Sequence, residues 1–184
     1  MKTIDDIAQG KCSTVITEFY LTSSREMPDA ATRDKWLMPL IPLLAGTAGS
    51  AELETRRLFR LADWAVHEIA PIALDRAGLG DHAATLRALL PIVDEETAHQ
   101  SARVISLCAF ANDTAYHAHD AAYDAACYAY DANEAVCDAY GAAYGAARAA
   151  AYAALTVTGK DVIYAMISDI IKELCAMKDE DTEC

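Results

Sequence analysis

Residues 112–155 read NDTAYHAHDAAYDAACYAYDANEAVCDAYGAAYGAARAAAYAAL, with no proline. Alanine fills 19 of these 44 positions, and seven of the nine tyrosines of the chain lie here. Alanine is the strongest helix former, so local propensity alone makes the tract helical. Its small side chain also lets neighbouring backbones come close. Unbroken, such a helix would run ~66 Å, longer than a compact domain of 184 residues allows. A bend or break is expected near Gly141 and Gly145.

Two periodicities are superimposed on the tract. Tyr116, Tyr123, Tyr130 and Tyr144 fall seven or fourteen residues apart, with Cys137 filling the gap. A seven-residue apolar period keeps one seam against a neighbouring helix. On this reading tyrosine fills the space between helices and sends its hydroxyl outward. The second series is Asp113, His117, Asp120, Asp124, Cys127, Asp131, Glu134 and Asp138, in alternating steps of four and three. These share one face, and like charges at such spacings repel by about 0.2–0.5 kcal/mol per pair.

Three readings of that row stay open. It is a solvated face, offset by Arg56, Arg57 and Arg60 elsewhere in the chain, since charge runs commonly mark exposure. It is a docking surface for a basic protein, with Asp120, Asp124, Asp131, Glu134 and Asp138 as contacts. Or Asp113, His117, Asp120 and Asp124 hold a divalent cation, which would make the chain a small all-α metal-dependent hydrolase. Ferritin-like di-metal sites need a Glu-x-x-His pair from each of two helices, and this chain does not supply two. HAHD at 117–120 has the spelling of a binuclear hydrolase motif, but on a helix His117 and His119 diverge by ~200°. Self-association of the Ala/Tyr seam into a homo-oligomer is a further alternative.

The remaining chain also reads as helix. Thr3 caps a short helix stopped by Gly10, and residues 12–22, though rich in β-branched side chains, find no second strand to pair with. Pro39 and Pro42 kink an apolar segment, and AGTAGS is a loop. Ser50 caps a helix whose Leu58, Leu61, Ala62, Ala65, Val66 and Ile69 form a core stripe, with Pro71 as its end. Asp81 caps a helix over 82–89, and another covers 94–110. Thr158 caps the last helix, with Val162, Ile163, Met166, Ile167, Ile170, Ile171 and Leu174 on its apolar face. The expected class is all-α: a compact multi-helix bundle without significant sheet, one domain over residues 1–177 and an acidic tail over 178–184. Trp36 and Trp64 read as core.

Hydrophobic residues make up 54% of the chain, too many for a disordered segment despite a net charge of −13. The whole acidic excess lies after Arg60. Such a field disfavours nucleic acid and anionic membrane and favours basic partners. No apolar run approaches ~18 residues, so a membrane span is not expected, and the first residues do not resemble a signal peptide, which makes the expected address cytoplasmic. The six cysteines show no CxxC spacing and read as reduced thiols. No phosphate loop, nucleophile elbow or dinucleotide fingerprint is present. No catalytic residue and no cofactor is expected.

Three segments in order carry a family resemblance: DKWLMPLIPLLAG, RRLFRLADWA, and the Ala/Tyr/Asp tract leading to an amphipathic helix that ends near Cys175. Across residues 1–177 the chain resembles the alanine-rich bacterial immunity proteins of toxin–immunity systems, the immunity-protein-five-like group. Pro39 and Pro42 depart from that pattern. The resemblance implies a non-catalytic protein that binds and silences a cognate protein toxin, and the acidic surface suits a basic one.

Overall fold

The computed structural model describes residues 12–106, 113–130, 136–156 and 159–179. Among them every regular element is helical, with no strand. The order is α1 (Thr14–Glu26), α2 (Ala30–Trp36), a 3-10 turn (Met38–Leu40), the single-turn α3 (Ile41–Leu44) and α4 (Ala51–Trp64). A π-helical turn (Ala65–Ile69), α5 (Ala70–Arg76), α6 (Gly80–Arg87), α7 (Glu95–Ser106), α8 (Asp113–Tyr130), α9 (Val136–Thr156) and α10 (Asp161–Ala176) follow. The expected first helix, at Thr3 to Gly10, falls outside the described residues, as does Thr158.

Local chemistry accounts for several boundaries. Ser13, Asp29 and Ser50 cap α1, α2 and α4 by accepting from the N–H of Ile16, Thr32 and Leu53. Pro39 and Pro42 each sit in the first turn of a short element, the position where a missing N–H costs nothing. Asp81 is not the cap expected of it. It lies within the first turn of α6, whose N-cap is Leu79.

Pro71 does not end the helix before it. The backbone widens into the π-turn, where Ala70 N–H bonds to the carbonyl of Ala65, and Pro71 falls in the first turn of α5. A proline ring clashes with the carbonyl four residues back. One extra residue in the turn relieves that clash and lets the helix continue.

The alanine tract forms two helices, and its glycines lie inside the second. α8 ends at Tyr130 and α9 begins at Val136, so Gly141 and Gly145 mark no break. They mark contact. A Cβ on Gly145 would lie 2.8 Å from Ala125 N and 2.9 Å from Ala121 O, and one on Gly141 would meet the Tyr128 ring. The two helices are antiparallel, because higher numbers on α9 meet lower numbers on α8.

Alanine fills the interface between them; of the seven-residue series expected as a seam, Tyr144 is exposed and Tyr123 half-buried, and the side chains of Tyr116, Tyr130 and Cys137 lie outside those described. Ala121, Ala122, Ala125, Ala126 and Ala129 of α8 are buried, while Tyr144 and Tyr128 are exposed and Tyr123 and Tyr152 half-buried. Tyr123, Tyr128, Tyr144 and Tyr152 line the rim. On α9, Gly141, Ala142, Ala143, Gly145, Ala146, Ala147, Ala149, Ala150, Ala153 and Ala154 are all buried. A helix buried around most of its circumference is central, and α9 touches α1, α4, α5, α8, α10 and the π-turn. Small side chains let that many neighbours reach it.

Arg57 ties the other end together from within the core, at 1% exposure. Its Nη1 donates to Thr47 O (2.6 Å) and Glu54 Oε1 (2.7 Å), Nε to Leu174 O (3.2 Å) and Nη2 to Met177 O (3.1 Å). Glu54 Oε2 in turn accepts from Ser13 Oγ and Val15 N. This ion pair, its arginine buried and its glutamate half-buried, joins the start of α1, the loop before α4 and the end of α10. Lys178 and Asp179, assigned from sequence to a tail, also reach α4. Arg56 donates to Lys178 O, and Asp179 accepts from Ser50 N and Oγ. On α10 the apolar stripe is narrower than expected: Ile163, Ile167, Ile170, Ile171 and Leu174 are buried, Met166 is half-buried, and Val162 is 62% exposed.

Candidate functional site

The face of the α8–α9 pair that carries the acidic row is built from both helices. On α8, His117 and Asp120 are exposed and Asp124 is half-buried. Opposite them on α9, Tyr144, Arg148 and Tyr152 recur every four residues and so share one side. The Arg148 guanidinium lies over both rings, 5.6 Å from the centroid of Tyr144 and 5.1 Å from that of Tyr152, and donates to the Tyr152 hydroxyl. The His117 ring stacks on Tyr152 at 5.0 Å and 22°. The result is a ladder across the helix pair, Tyr144–Arg148–Tyr152–His117, with Asp120 and Asp124 beside it. Each cation–π contact at an exposed site contributes about 0.5–1 kcal/mol.

The electrostatics of the acids are unfavourable to the free protein. Burial, then the charge of Asp120, push the Asp124 carboxyl above its ordinary range, and Arg148 only partly opposes them. Tyr123, hydrogen-bonded to Cys127 and close to Asp124 and Asp120, is likewise held above the ordinary phenol value.

Two of the three arginines expected to offset the row are committed elsewhere. Arg57 is paired with Glu54. Arg60 bonds Glu173 through both oxygens (2.6 and 3.0 Å), Glu68 (3.2 Å) and Asp63 (3.3 Å). The base that does face the row is Arg148, the one base of its own tract. Its spacing of four from Tyr144 and Tyr152 was visible in the sequence and is the signal that would have found the ladder.

Of the residues picked out from sequence, the structure brings His117, Asp120 and Asp124 onto one face. Asp131 and Glu134 lie outside the described residues, and Asp113 and Asp138 are placed on α8 and α9 without described side chains. Among the described residues no three His, Cys, Asp or Glu side chains converge on a metal position. Among them also, no helix is long and apolar enough to cross a membrane. Among the described residues, Cys12, Cys127 and Cys175 form no disulfide with one another.

A second charged cluster, missed from sequence, surrounds the π-turn. His67 Nδ1 meets Asp63 Oδ1 at 2.8 Å, and the same oxygen accepts the Ile92 N–H at 2.9 Å, anchoring the loop before α7. Burial disfavours the imidazolium, but the hydrogen bond and charge of Asp63 outweigh it and raise the His67 pKa. Asp63 is lowered: burial works against its charge, and the bonds from His67 and Ile92 overcome that.

Comparison of the chain with models of known protein families, with characterised proteins and with solved structures finds no match.

Proposed function

We propose that this chain is a non-catalytic binding protein of the cytoplasm that neutralises a basic protein toxin, in keeping with the immunity-protein resemblance, and that the α8–α9 face is its contact surface. The observation that supports this reading is the charge of Asp120 and Asp124, which Arg148 only partly offsets, on one face of the helix pair. Asp124 is half-buried and titrates high, Arg57 and Arg60 are spent on other carboxylates, and a cationic partner would relieve the repulsion. The rim of tyrosines and Arg148 has the composition of energetic hot spots at protein interfaces. A preformed surface of this kind loses little entropy on binding.

The experiment is a protection assay in cells expressing the product of any toxin gene found adjacent to this one, with wild type and the Asp120→Asn/Asp124→Asn variant. The variant is expected to be more stable than wild type, by roughly 0.2–0.5 kcal/mol from the relieved pair, yet to protect less. Equal protection by the variant removes this face as the contact. Failure of the wild type to protect removes the toxin assignment.

A further inference from the structure

We propose that Cys12 and Cys175 are the two halves of a redox latch, a disulfide formed within the chain by exchange with a low-molecular-weight disulfide. It would fasten the start of α1 to the end of α10. The hydrogen bonds around Arg57 bring the two cysteines together from near opposite ends of the chain. Cys12 is followed by Ser13, whose N–H donates to Thr47 Oγ1 (3.0 Å) and whose Oγ donates to Glu54 Oε2 (2.8 Å). Cys175 follows Leu174, whose carbonyl accepts from Arg57 Nε (3.2 Å). Arg57 Nη1 joins the two sides by donating to Thr47 O and Glu54 Oε1. Each cysteine is therefore the direct neighbour of a residue in one network.

The packing agrees. α1 and α10 touch, Cys175 is buried at the end of α10, and half-buried Cys12 lies against the same core. The Cys12 thiol is among the groups that hold the Cys175 thiol high, an influence that requires the two sulfurs to be near each other. A bridge needs Cα atoms roughly 4.4–6.8 Å apart. Cys12 lies in a bend ahead of the Ser13 cap, outside α1, so its backbone can adjust without breaking a helical hydrogen bond.

The exposure of the two thiols sets the order of the steps. Cys12 is the one an oxidant can reach. Its thiolate attacks one sulfur of the small disulfide, and the first small thiolate leaves. Cys175, deprotonated, then attacks the Cys12 sulfur, and the second small thiolate leaves. The protons of the two cysteines end on the two released thiols, so one disulfide is reduced as the other forms. Burial disfavours both protein thiolates, which makes the exchange slow, and the nearness of Cys175 to Cys12 offsets this in the second step. In a reducing compartment such a bond is a transient sensor of oxidation. Neither cysteine belongs to the α8–α9 face, so the latch and the proposed function stand or fall separately.

The test uses the full-length reduced protein, incubated with glutathione disulfide at mildly alkaline pH. The expected product has lost two hydrogens and yields a Cys12–Cys175 cross-linked peptide on proteolysis without reductant. It should melt at least about 5 °C higher, because the closed loop is long, and dithiothreitol should reverse the gain. Cys12→Ser should abolish both the cross-link and the shift, and Cys175→Ala should stop at the glutathione adduct on Cys12. The peptide map of the wild type decides the matter even where a substituted chain folds poorly. No cross-link, a bond from either cysteine to a different thiol, a bond between two chains, an unchanged Tm, or a Cys175→Ala chain without the Cys12 adduct overturns the proposal.

Discussion

Replacing Gly145 by alanine is the sharpest test of the α8–α9 packing. Considered as an isolated helix, α9 should gain about 1 kcal/mol from the change, since glycine is that much the poorer helix former. In the bundle the new Cβ would stand 2.8 Å from Ala125 N, 2.9 Å from Ala121 O and 3.1 Å from Ala125 Cα, where ordinary contact begins at 3.4 Å. All three atoms are backbone, so no rotamer change clears them, and the helices must part by roughly 0.6 Å. A gap of that size forfeits about a quarter to a half of each dispersion contact along the alanine interface. Overpacking costs about 1–3 kcal/mol in general, and a backbone obstacle places this site at the upper end. The net expectation is a loss of about 2 kcal/mol, or a fall in Tm of roughly 4–8 °C for a chain of this size. Gly141→Ala is the control four residues away. Its Cβ would meet the Tyr128 ring, but Tyr128 is 41% exposed and can swing into solvent. That variant should stay within about 1 kcal/mol of wild type, with the propensity gain offsetting lost ring contacts. Urea unfolding followed by circular dichroism measures both. If Gly145→Ala is as stable as wild type, or Gly141→Ala is the more damaging of the two, the close backbone crossing is not what holds the pair.

Arg57→Met should cost about 3–5 kcal/mol by taking the cation from Glu54 and the donor from the carbonyls of Thr47, Leu174 and Met177, and adding Glu54→Gln should restore part of it, a double-mutant cycle that urea midpoints resolve. The Asp63–His67 pair contributes stability between two limits. Asp63, lowered from 3.8, loses its share as pH falls through that depressed value, and His67, raised from 6.5, loses its share as pH rises through the elevated one. His67→Gln should flatten the alkaline side of the stability profile, and an unchanged slope would show that the imidazole carries no charge in the fold. Burial pushes the Cys175 thiol up to about 11, so it should resist alkylation at neutral pH until the protein unfolds; labelling as fast as that of a free thiol would mean that the end of α10 opens readily.

The helices were legible because their signals are local. Ser50 caps through a bond that spans three residues, and alanine needs no partner to favour a helix. The site was legible only in part. Asp120 and Asp124 were correctly placed on one face by their spacing. Their neutraliser was not, because the arginines that seemed available in composition had partners over a hundred residues away, such as Glu173 for Arg60.

What the sequence determined by itself is the secondary structure and the position of acids along each helix, since propensity, capping and periodicity act over one or two turns. Which side of α9 is buried was decided only by tertiary packing. A helix with alanine on nearly every side presents no amphipathic contrast from which a face could be read. Its glycines look like weak points until α8 is laid against them, and Pro71 looks like a terminus until the π-turn absorbs it. These outcomes depend on how closely two backbones approach, a quantity that no single stretch of chain contains.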